Sequence, residues 1–289
     1  MTLVCRFAPS PNGYLHLGHA LSAIEGFETA HRHGGRFLVR IEDIDTARSR
    51  DAYVAAIFED LAWLGLTWET PVMRQSEHFG RYCELASRLK AMGVLYPCFA
   101  TRAEISAAAA DNPAERDPDG APLYSGLYKY LTASEIARRC ECGENYALRI
   151  DMEKALEVMR HKLNGEPLTF VEVNPSGEPE IIACRPEIWG DAIIVRKDTP
   201  TSYHLAVVAD DALQGITLVT RGRDLFQATG LQRLLQVLLE LPVPKYVHHR
   251  LLMGEDGRKL AKSAGDTSLR ELRANGVTAM DIKKALQLV

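Results

Sequence analysis

The sequence predicts an α/β fold with a parallel sheet that is interrupted by an inserted subdomain. Residues 3–8 (LVCRFA) alternate like a strand, residues 18–31 have the apolar spacing of a helix, and residues 36–41 (RFLVRI) resemble a second strand. A strand, a helix and a second strand in this order form a βαβ unit, whose strands pair in parallel. The alternation weakens between residues 97 and 186 and then returns, which indicates the insertion.

The first third of the chain contains three predicted helices with recognisable ends. Gly34 and Gly35 end the helix of residues 18–31. Ser49 begins the second helix, whose apolar residues share one face: Val54, Ile57, Phe58, Leu61 and Leu64. The third helix is predicted from residue 77 to residue 92, and Gly93 suits its C-cap.

The middle of the chain is predicted to be the inserted subdomain. Residues 111–122 are rich in proline and charge, and residues 175–180 form a second turn-rich patch. The strand and helix pattern then returns in four segments: 191–197, 203–211, 216–221 and the helix of residues 225–241. The predicted division is a first half of the core domain at 1–96, an insertion at 97–186, a second half at 187–263 and a short helical C-terminal segment at 264–289.

Composition limits the classes of function. The chain has 289 residues, of which 46% are hydrophobic and 25% charged, enough for a sizeable core. It has no apolar run near the roughly 20 residues of a membrane helix and does not begin with a signal-peptide pattern, so a cytoplasmic location is expected. The six cysteines are sparse in so long a chain, and we expect reduced thiols.

Charge is distributed unevenly along the chain. The formal net charge of −4 argues against nucleic-acid binding through a globally basic surface. Residues 243–289 nevertheless contain nine Lys and Arg against five Asp and Glu. A basic C-terminal segment on an acidic body suits contact with a polyanion at one place only. A solvated helical surface explains the same charges, and charge alone favours that interpretation.

Residues 6–20 (RFAPSPNGYLHLGHA) place two histidines at a turn between the first strand and the first helix. Such turns lie at the carboxyl ends of parallel strands, where ligands bind, and a helix N-terminus attracts phosphate. His16 and His19 are three residues apart, so both imidazoles are expected on one side, donating to oxygens that gain charge in phosphoryl or nucleotidyl transfer. Two surface histidines in a flexible loop are the alternative, which the neighbouring prolines and glycines disfavour.

A second motif lies near the C-terminus, where residues 254–263 read GEDGRKLAKS. On its own, a loop with two lysines and a serine is a common solvated patch. Together, HLGH at 16–19 and KLAKS at 259–263 resemble the HIGH and KMSKS signatures of class I aminoacyl-tRNA synthetases. The resemblance implies a Rossmann-like catalytic domain that binds ATP between the two motifs. It implies catalytic roles for His16, His19, Lys259 and Lys262, and ATP binding by His16, His19, Lys262 and Ser263.

The resemblance is strongest to the glutamate branch of that class. RIEDID at 40–45, the segment 203–225 and DGRKLAKS at 256–263 are similar to glutamyl-tRNA synthetase segments in the same order. It implies that glutamate is bound by Arg6, Ala8, Ser10, Glu42, Tyr203 and Arg221. Chemistry agrees, because a dicarboxylic amino acid needs cations, an anion and hydroxyls. Which arginine takes the side-chain carboxylate is left open, and a strand-edge ion pair of Arg6 with Glu42 is the alternative.

Only 26 residues follow Ser263, so no module that reads an anticodon from a distance is expected. In this respect the chain resembles the glutamyl-queuosine tRNA(Asp) synthetases. The resemblance implies ATP-dependent formation of glutamyl adenylate, with Mg²⁺, and transfer of the glutamyl group to the queuosine base at position 34 of tRNA(Asp). It also implies a monomer that takes the anticodon stem-loop into its catalytic domain. A minimal synthetase that charges a tRNA 3′ end and an inactive RNA-binding paralogue are the alternatives.

Zinc is predicted to be absent. Members of that group commonly bind zinc through Cys-x-Cys and a later Tyr-x3-Cys. The corresponding positions here are Cys98-Phe-Ala100 and Tyr124 to Tyr128, so two thiolates are missing. Cys140 and Cys142 could join Cys98 in a rearranged site, but ordinary reduced cysteines are the favoured interpretation.

Overall fold

The computed structural model describes residues 2–110, 115–174, 177–253 and 267–288. The strands of these residues are β1 (Val4–Phe7), β2 (Arg36–Ile41), β3 (Met73–Arg74), β4 (Leu95–Cys98), β5 (Ala147–Ile150), β6 (Thr169–Val173), β7 (Pro179–Ala183), β8 (Ile193–Val195), β9 (Leu218–Gly222) and β10 (Lys245–His249). The α-helices are α1 (Leu17–Arg32), α2 (Asp51–Trp63), α3 (Phe79–Ala91), α4 (Arg102–Ala108), α5 (Ala133–Glu141), α6 (Met152–Lys162), α7 (Tyr203–Leu213), α8 (Ala228–Leu239), α9 (Leu269–Ala274) and α10 (Ala279–Ala285).

A seven-stranded sheet forms the centre of the fold, in the order β3-β2-β1-β9-β10-β6-β7. Every neighbouring pair is parallel except β6 with β7, so the predicted parallel α/β architecture is confirmed. Strand β1 pairs with β9, and Arg221 on β9 lies opposite His248 on β10. The carboxyl ends of these three central strands therefore meet at one edge of the sheet, where a ligand site is expected.

The strand pairing crosses both predicted boundaries of the insertion. A small antiparallel sheet contains β4, β5 and β8, so it draws strands from before residue 97 and after residue 186. Strands β6 and β7 lie within the predicted insertion but extend the large sheet through β10. The domain boundaries remain a prediction, with residues 169–183 belonging to the central sheet.

The two C-terminal helices pack onto the first part of the chain, and the prediction of short helices there is confirmed. Leu269 and Ile282 lie in one buried apolar cluster with residues of α1 and α2. The Lys283 ammonium donates to the Glu28 carboxylate at 2.8 Å, which links α10 to α1. The backbone N–H of Leu269 donates to the carbonyl of Leu15 at 2.8 Å, just before the HLGH turn.

Asp60 on α2 is a buried carboxylate beside these helices. Its Oδ1 lies 3.5 Å from Nη1 of Arg273 on α9, and neither carboxylate oxygen accepts a hydrogen bond from the described residues. Burial raises the pKa of Asp60 to about 6. Because this pKa lies above that of the unfolded chain, the carboxylate costs stability as the pH rises through about 6.

Replacing Asp60 with asparagine is therefore expected to stabilise the fold at neutral and alkaline pH. The free energy of unfolding should rise by about 1 to 3 kcal/mol at about pH 8 and by less at about pH 5, where the folded parent already binds the proton. Denaturant unfolding at both pH values measures this difference. An equal gain at the two pH values would show that Asp60 does not titrate with a raised pKa.

No helix among the described residues is long and apolar enough to cross a membrane.

Candidate active site

A cleft of about 490 Å³ lies at the carboxyl ends of β1, β9 and β10. The last residues of these three strands and the residues that follow them line the cleft, together with the start of α1, Glu42 directly after β2 and Tyr203 at the start of α7. The cleft brings together the predicted residues Arg6, Ala8, Ser10, His16, His19, Glu42, Tyr203 and Arg221. The predicted residues Lys259, Lys262 and Ser263 lie outside the described part of the chain.

The two histidines of HLGH form the N-terminal cap of α1. Nδ1 of His16 accepts the backbone N–H of Gly18 at 3.1 Å, and Nδ1 of His19 accepts the backbone N–H of His16 at 3.2 Å. This reciprocal capping box satisfies two N–H groups that the start of a helix leaves without partners. The imidazole centroids lie 3.9 Å apart, so the spacing of three residues does bring both rings to one side of the cleft.

Gly18 makes this arrangement possible. A Cβ atom at residue 18 would lie 2.9 Å from Cε1 of His16 and 3.1 Å from its Nδ1. Carbon atoms in proteins do not approach so closely, so any side chain there would push the His16 ring out of its cap. The glycine of HLGH is therefore required by the position of the first histidine.

The caps also determine where the imidazole protons lie. A ring nitrogen that accepts a backbone N–H carries no proton, so each neutral imidazole carries its proton on Nε2. Both rings therefore present an Nε2–H donor, and both line the cleft. The N-terminus of α1 adds partial positive charge at the same place. This end of the cleft is suited to oxygens that become more negative during a reaction.

A buried network of charged side chains lies behind the other end of the cleft. Nε of Arg6 donates to Oδ1 of Asp211 at 3.0 Å, and Arg40 donates to the same oxygen at 2.8 Å. Arg40 also donates to Glu42 at 3.1 Å. The carboxylate partner of Arg6 is thus Asp211 on α7, while Arg40 binds Glu42. The alternative of a simple strand-edge pair of Arg6 with Glu42 is not what the structure contains.

The two carboxylates of this network respond differently to burial. Burial would raise the pKa of Asp211, but the charges of Arg6 and Arg40 outweigh it and lower the pKa below its usual value. Burial dominates at Glu42 and raises its pKa, although Arg40 and Arg6 oppose it. Glu42 lines the cleft, so a cation that arrives beside it would stabilise its ionised form.

Arg221 differs from Arg6 because it has no carboxylate partner among the described residues. It is 5% exposed, and its guanidinium donates to Nε2 of His248 at 3.1 Å, Oε1 of Gln232 at 2.8 Å and Oγ1 of Thr229 at 2.7 Å. Within the described residues, no carboxylate oxygen lies within 4.0 Å of it. A buried charge without a counter-ion is costly, so Arg221 at the wall of the cleft is suited to bind an anion.

Sequence reasoning missed the residues that hold the arginines in place, namely Arg40, Glu172, Asp211, Thr229, Gln232 and His248. One signal for Asp211 was available. Asp210 and Asp211 stand side by side after the apolar run of residues 205–209 in one helix, and carboxylates in such a position need buried partners. No comparable signal points to Glu172, which lies on β6 in the stretch assigned to the insertion.

The described residues contain no group of three or more His, Cys, Asp or Glu side chains that could hold a metal ion. Cys98 is buried, whereas Cys140 and Cys142 are exposed, and all three are free thiols. The rearranged site of Cys98, Cys140 and Cys142 is therefore not assembled in this part of the chain. The absence of zinc from the protein remains a prediction.

A parallel α/β domain with a capped HLGH turn at the carboxyl edge of its sheet defines the class as the catalytic domain of a class I aminoacyl-tRNA synthetase. The chain belongs to the family described as tRNA synthetases class I (E and Q), catalytic domain, whose family profile matches residues 2–289.

Relatives of two kinds are similar to the chain. A glutamyl-Q tRNA(Asp) synthetase of Rhodobacter capsulatus is 41% identical over 99% of this chain and 100% of its own length. A glutamate–tRNA ligase of Aquifex aeolicus is 38% identical over 94% of this chain but only 54% of its own length. Among solved structures, the glutamate–tRNA synthetase of Elizabethkingia anophelis superposes with a TM-score of 0.73 at 25% identity, covering 92% of this chain and 54% of that one.

Proposed function

We propose that this protein activates L-glutamate with ATP to form glutamyl adenylate, and then transfers the glutamyl group to the queuosine base at position 34 of tRNA(Asp). The observation that carries the proposal is the single cleft in which Arg221, a cation without a carboxylate partner among the described residues, lies with the His16 and His19 donors. The relative named glutamyl-Q tRNA(Asp) synthetase matches over its whole length, which supports the choice of acceptor. The active species is proposed to be a monomer.

Glutamate fits the charges at the walls of the cleft. At neutral pH it carries two carboxylates and one ammonium. Arg221 is the free anion site and takes one carboxylate, because Arg6 is already paired with Asp211. Glu42 receives the ammonium, which favours its ionised form. Ser10 and Tyr203 also line the cleft and supply hydroxyl groups.

The first step is nucleotidyl transfer. The α-carboxylate of glutamate attacks the α-phosphate of ATP, a new oxygen–phosphorus bond forms, and pyrophosphate leaves. The attacking carboxylate is already ionised, so no protein base is needed. The Nε2–H groups of His16 and His19 and the N-terminus of α1 stabilise the negative charge on the phosphate oxygens. Lys259, Lys262 and Ser263 keep the roles that the KLAKS motif implies, as predictions.

The described residues do not form a protein site for Mg²⁺. Glu42 and Asp224 are the carboxylates among the described lining residues, and Glu42 is bound by Arg40. No group of three candidate ligands is present in this part of the chain. Phosphate oxygens of ATP and water are available as ligands to a Mg²⁺ ion that accompanies the nucleotide.

The second step moves the glutamyl group to RNA. A hydroxyl of the queuosine base attacks the carbonyl carbon of the adenylate, and an ester bond forms. AMP leaves with the electron pair of the broken anhydride bond, and the hydroxyl proton passes to water. Single-stranded loops are the part of an RNA whose bases can be turned outward and held by stacking and edge contacts. The anticodon loop can therefore present position 34 to the cleft.

The acceptor is tested by locating labelled glutamate on RNA. The substrates are tRNA(Asp) with queuosine, tRNA(Asp) without queuosine, tRNA(Glu), and an isolated anticodon stem-loop of tRNA(Asp) that contains queuosine. The proposal predicts label on both queuosine-containing RNAs and, after nuclease digestion, in the anticodon fragment. Label on the terminal adenosine of tRNA(Glu) would favour the minimal charging enzyme. Absence of label on all four RNAs, together with no amino acid activation, would favour the inactive paralogue.

A further inference from the structure

Arg221 is held by a chain of hydrogen bonds that leads away from the cleft. Its Nε donates to Nε2 of His248 at 3.1 Å. Nδ1 of His248 lies 2.8 Å from Oε2 of Glu172, and the backbone N–H of His248 donates to Oε1 of the same carboxylate at 2.8 Å. Both oxygens of Glu172 are thus bonded to one residue, and that residue accepts from Arg221.

The chemistry of the three groups leaves one arrangement of protons. An ionised carboxylate only accepts hydrogen bonds, so Nδ1 of His248 carries a proton and donates it to Glu172. Arg221 only donates, so Nε2 of His248 carries none. His248 is therefore the neutral tautomer with its proton on Nδ1. In the other tautomer, two N–H groups would point at each other between His248 and Arg221.

The surroundings allow the imidazole no other orientation. The His248 side chain is 0% exposed and lies among the rings of Phe170, Phe226 and Tyr246, with centroid distances of 5.1 to 6.2 Å. Its ring is nearly parallel to that of Tyr246, at 4°. Close packing of this kind prevents rotation, so the tautomer decides whether His248 can accept from Arg221.

We propose that Glu172 and His248 are positioning residues, which select the imidazole tautomer that holds the Arg221 guanidinium toward the carboxylate of the bound amino acid. We call the chain Glu172–His248–Arg221 the positioning relay. The inference rests on the proposed binding of glutamate by Arg221. It adds that strand β6, from the stretch assigned to the insertion, determines amino acid affinity through a residue that does not line the cleft.

The relay also predicts an acid limit for amino acid binding. The groups that face His248 are Glu172 from β6, Arg221 and Arg223 from β9 and the turn after it, and Tyr246 from β10 itself. Burial lowers the pKa of His248 below its usual value; Arg221 and Arg223 act in the same direction, whereas Glu172 opposes them. His248 is therefore neutral at physiological pH. Protonation in acid places a proton on Nε2, so Arg221 loses one of its three acceptors while Gln232 and Thr229 remain, and the KM for glutamate rises.

Two substitutions of His248 distinguish the loss of the hydrogen-bond acceptor for Arg221 from the loss of ring packing. In His248→Gln, the amide oxygen can replace Nε2 as the acceptor for Arg221 and does not titrate. In His248→Asn, the shorter amide can still donate to Glu172 but does not reach Arg221. We expect His248→Gln to keep a KM for glutamate near that of the parent and to abolish the rise of this KM in acid. We expect His248→Asn to raise that KM by about tenfold to a hundredfold, with little change in the KM for ATP.

A third variant tests the carboxylate. In Glu172→Gln, the side-chain amide can accept only one of the two His248 hydrogens, because its nitrogen is a donor. The imidazole then shifts toward the tautomer with its proton on Nε2, and we expect a rise in the KM for glutamate as large as in His248→Asn. Tyr246→Phe is the matched control, since it removes a buried hydrogen bond with Gln236 on the same face of the sheet and leaves the three relay bonds intact.

The readouts are glutamate-dependent and ATP-dependent pyrophosphate exchange across pH, and ¹⁵N NMR of the histidine rings in the full chain. Equal KM for glutamate in His248→Gln and His248→Asn, or a parent His248 protonated on Nε2, would overturn the relay. If the parent shows no glutamate-dependent exchange, the proposed function fails. The NMR signals still test the positioning relay in that case. The relay requires the His248 proton on Nδ1 in the parent and on Nε2 in Glu172→Gln.

Discussion

Replacing Arg221 with glutamine is expected to lower kcat/KM for glutamate in pyrophosphate exchange by about a hundredfold to a thousandfold. The variant removes the cation that is proposed to face a substrate carboxylate, and losing one partner of a buried charge pair costs about 2 to 5 kcal/mol. The loss should fall mainly on the KM for glutamate, because the end of the cleft that is proposed to bind ATP is formed by His16, His19 and the start of α1. Exchange kinetics with each substrate varied in turn measure it.

Arg233→Gln is the matched control for this prediction. Arg233 is also a buried arginine, and it donates to the backbone carbonyl of Thr169, away from the cleft. Its loss is expected to lower stability and leave the KM for glutamate unchanged. If Arg221→Gln and Arg233→Gln had the same effect on glutamate, the anion site at Arg221 would be excluded.

Replacing either histidine of HLGH with asparagine is expected to reduce kcat by about a hundredfold to a thousandfold, the usual effect of losing one donor to a developing oxyanion. Asparagine places an oxygen near the position of Nδ1 and is a good helix cap, so His16→Asn and His19→Asn keep the capping bonds of α1. They lose only the Nε2–H donor. Steady-state exchange and thermal unfolding of the same preparations separate chemistry from folding.

His31→Asn provides the control on the same helix. His31 lies in the last turn of α1 and stacks on Phe27, far along the helix from the cap. We expect it to keep the parental kcat. Full activity in both His16→Asn and His19→Asn would show that the two imidazoles serve only as caps and take no part in the reaction.

Part of the fold follows from local patterns in the sequence. Strand β2 runs over the predicted residues Arg36–Ile41, and α1 to α3 begin and end within a few residues of their predicted bounds. Strands β6 and β10 were not predicted. Strand β6 lies in the stretch assigned to the insertion and β10 contains two histidines, and both are strands because β10 pairs with β9 and with β6, which are distant in sequence. Pairing over such distances has no local signature.

The residues of the candidate site also divide into those that the sequence predicts and those that it does not. The residues that line the cleft could be proposed from motifs, because HLGH and RIEDID keep a recognisable order of residue types. The residues behind them could not. Asp211 binds Arg6 across 205 positions of sequence and Glu172 binds His248 across 76, so only folding brings these partners together. Arg221 can therefore be proposed as the anion site only after the partners of both arginines are known.

The central claim is that one cleft holds a dicarboxylic amino acid beside the phosphates of ATP. The most direct test is pyrophosphate exchange into ATP with glutamate, glutamine or aspartate as the amino acid, each with and without tRNA(Asp). The account predicts exchange with glutamate and little with the other two. Glutamine lacks the second carboxylate for Arg221, and aspartate has one methylene group fewer between its two carboxylates. Exchange that is equally fast with glutamine, or absent with glutamate under every condition, would contradict it.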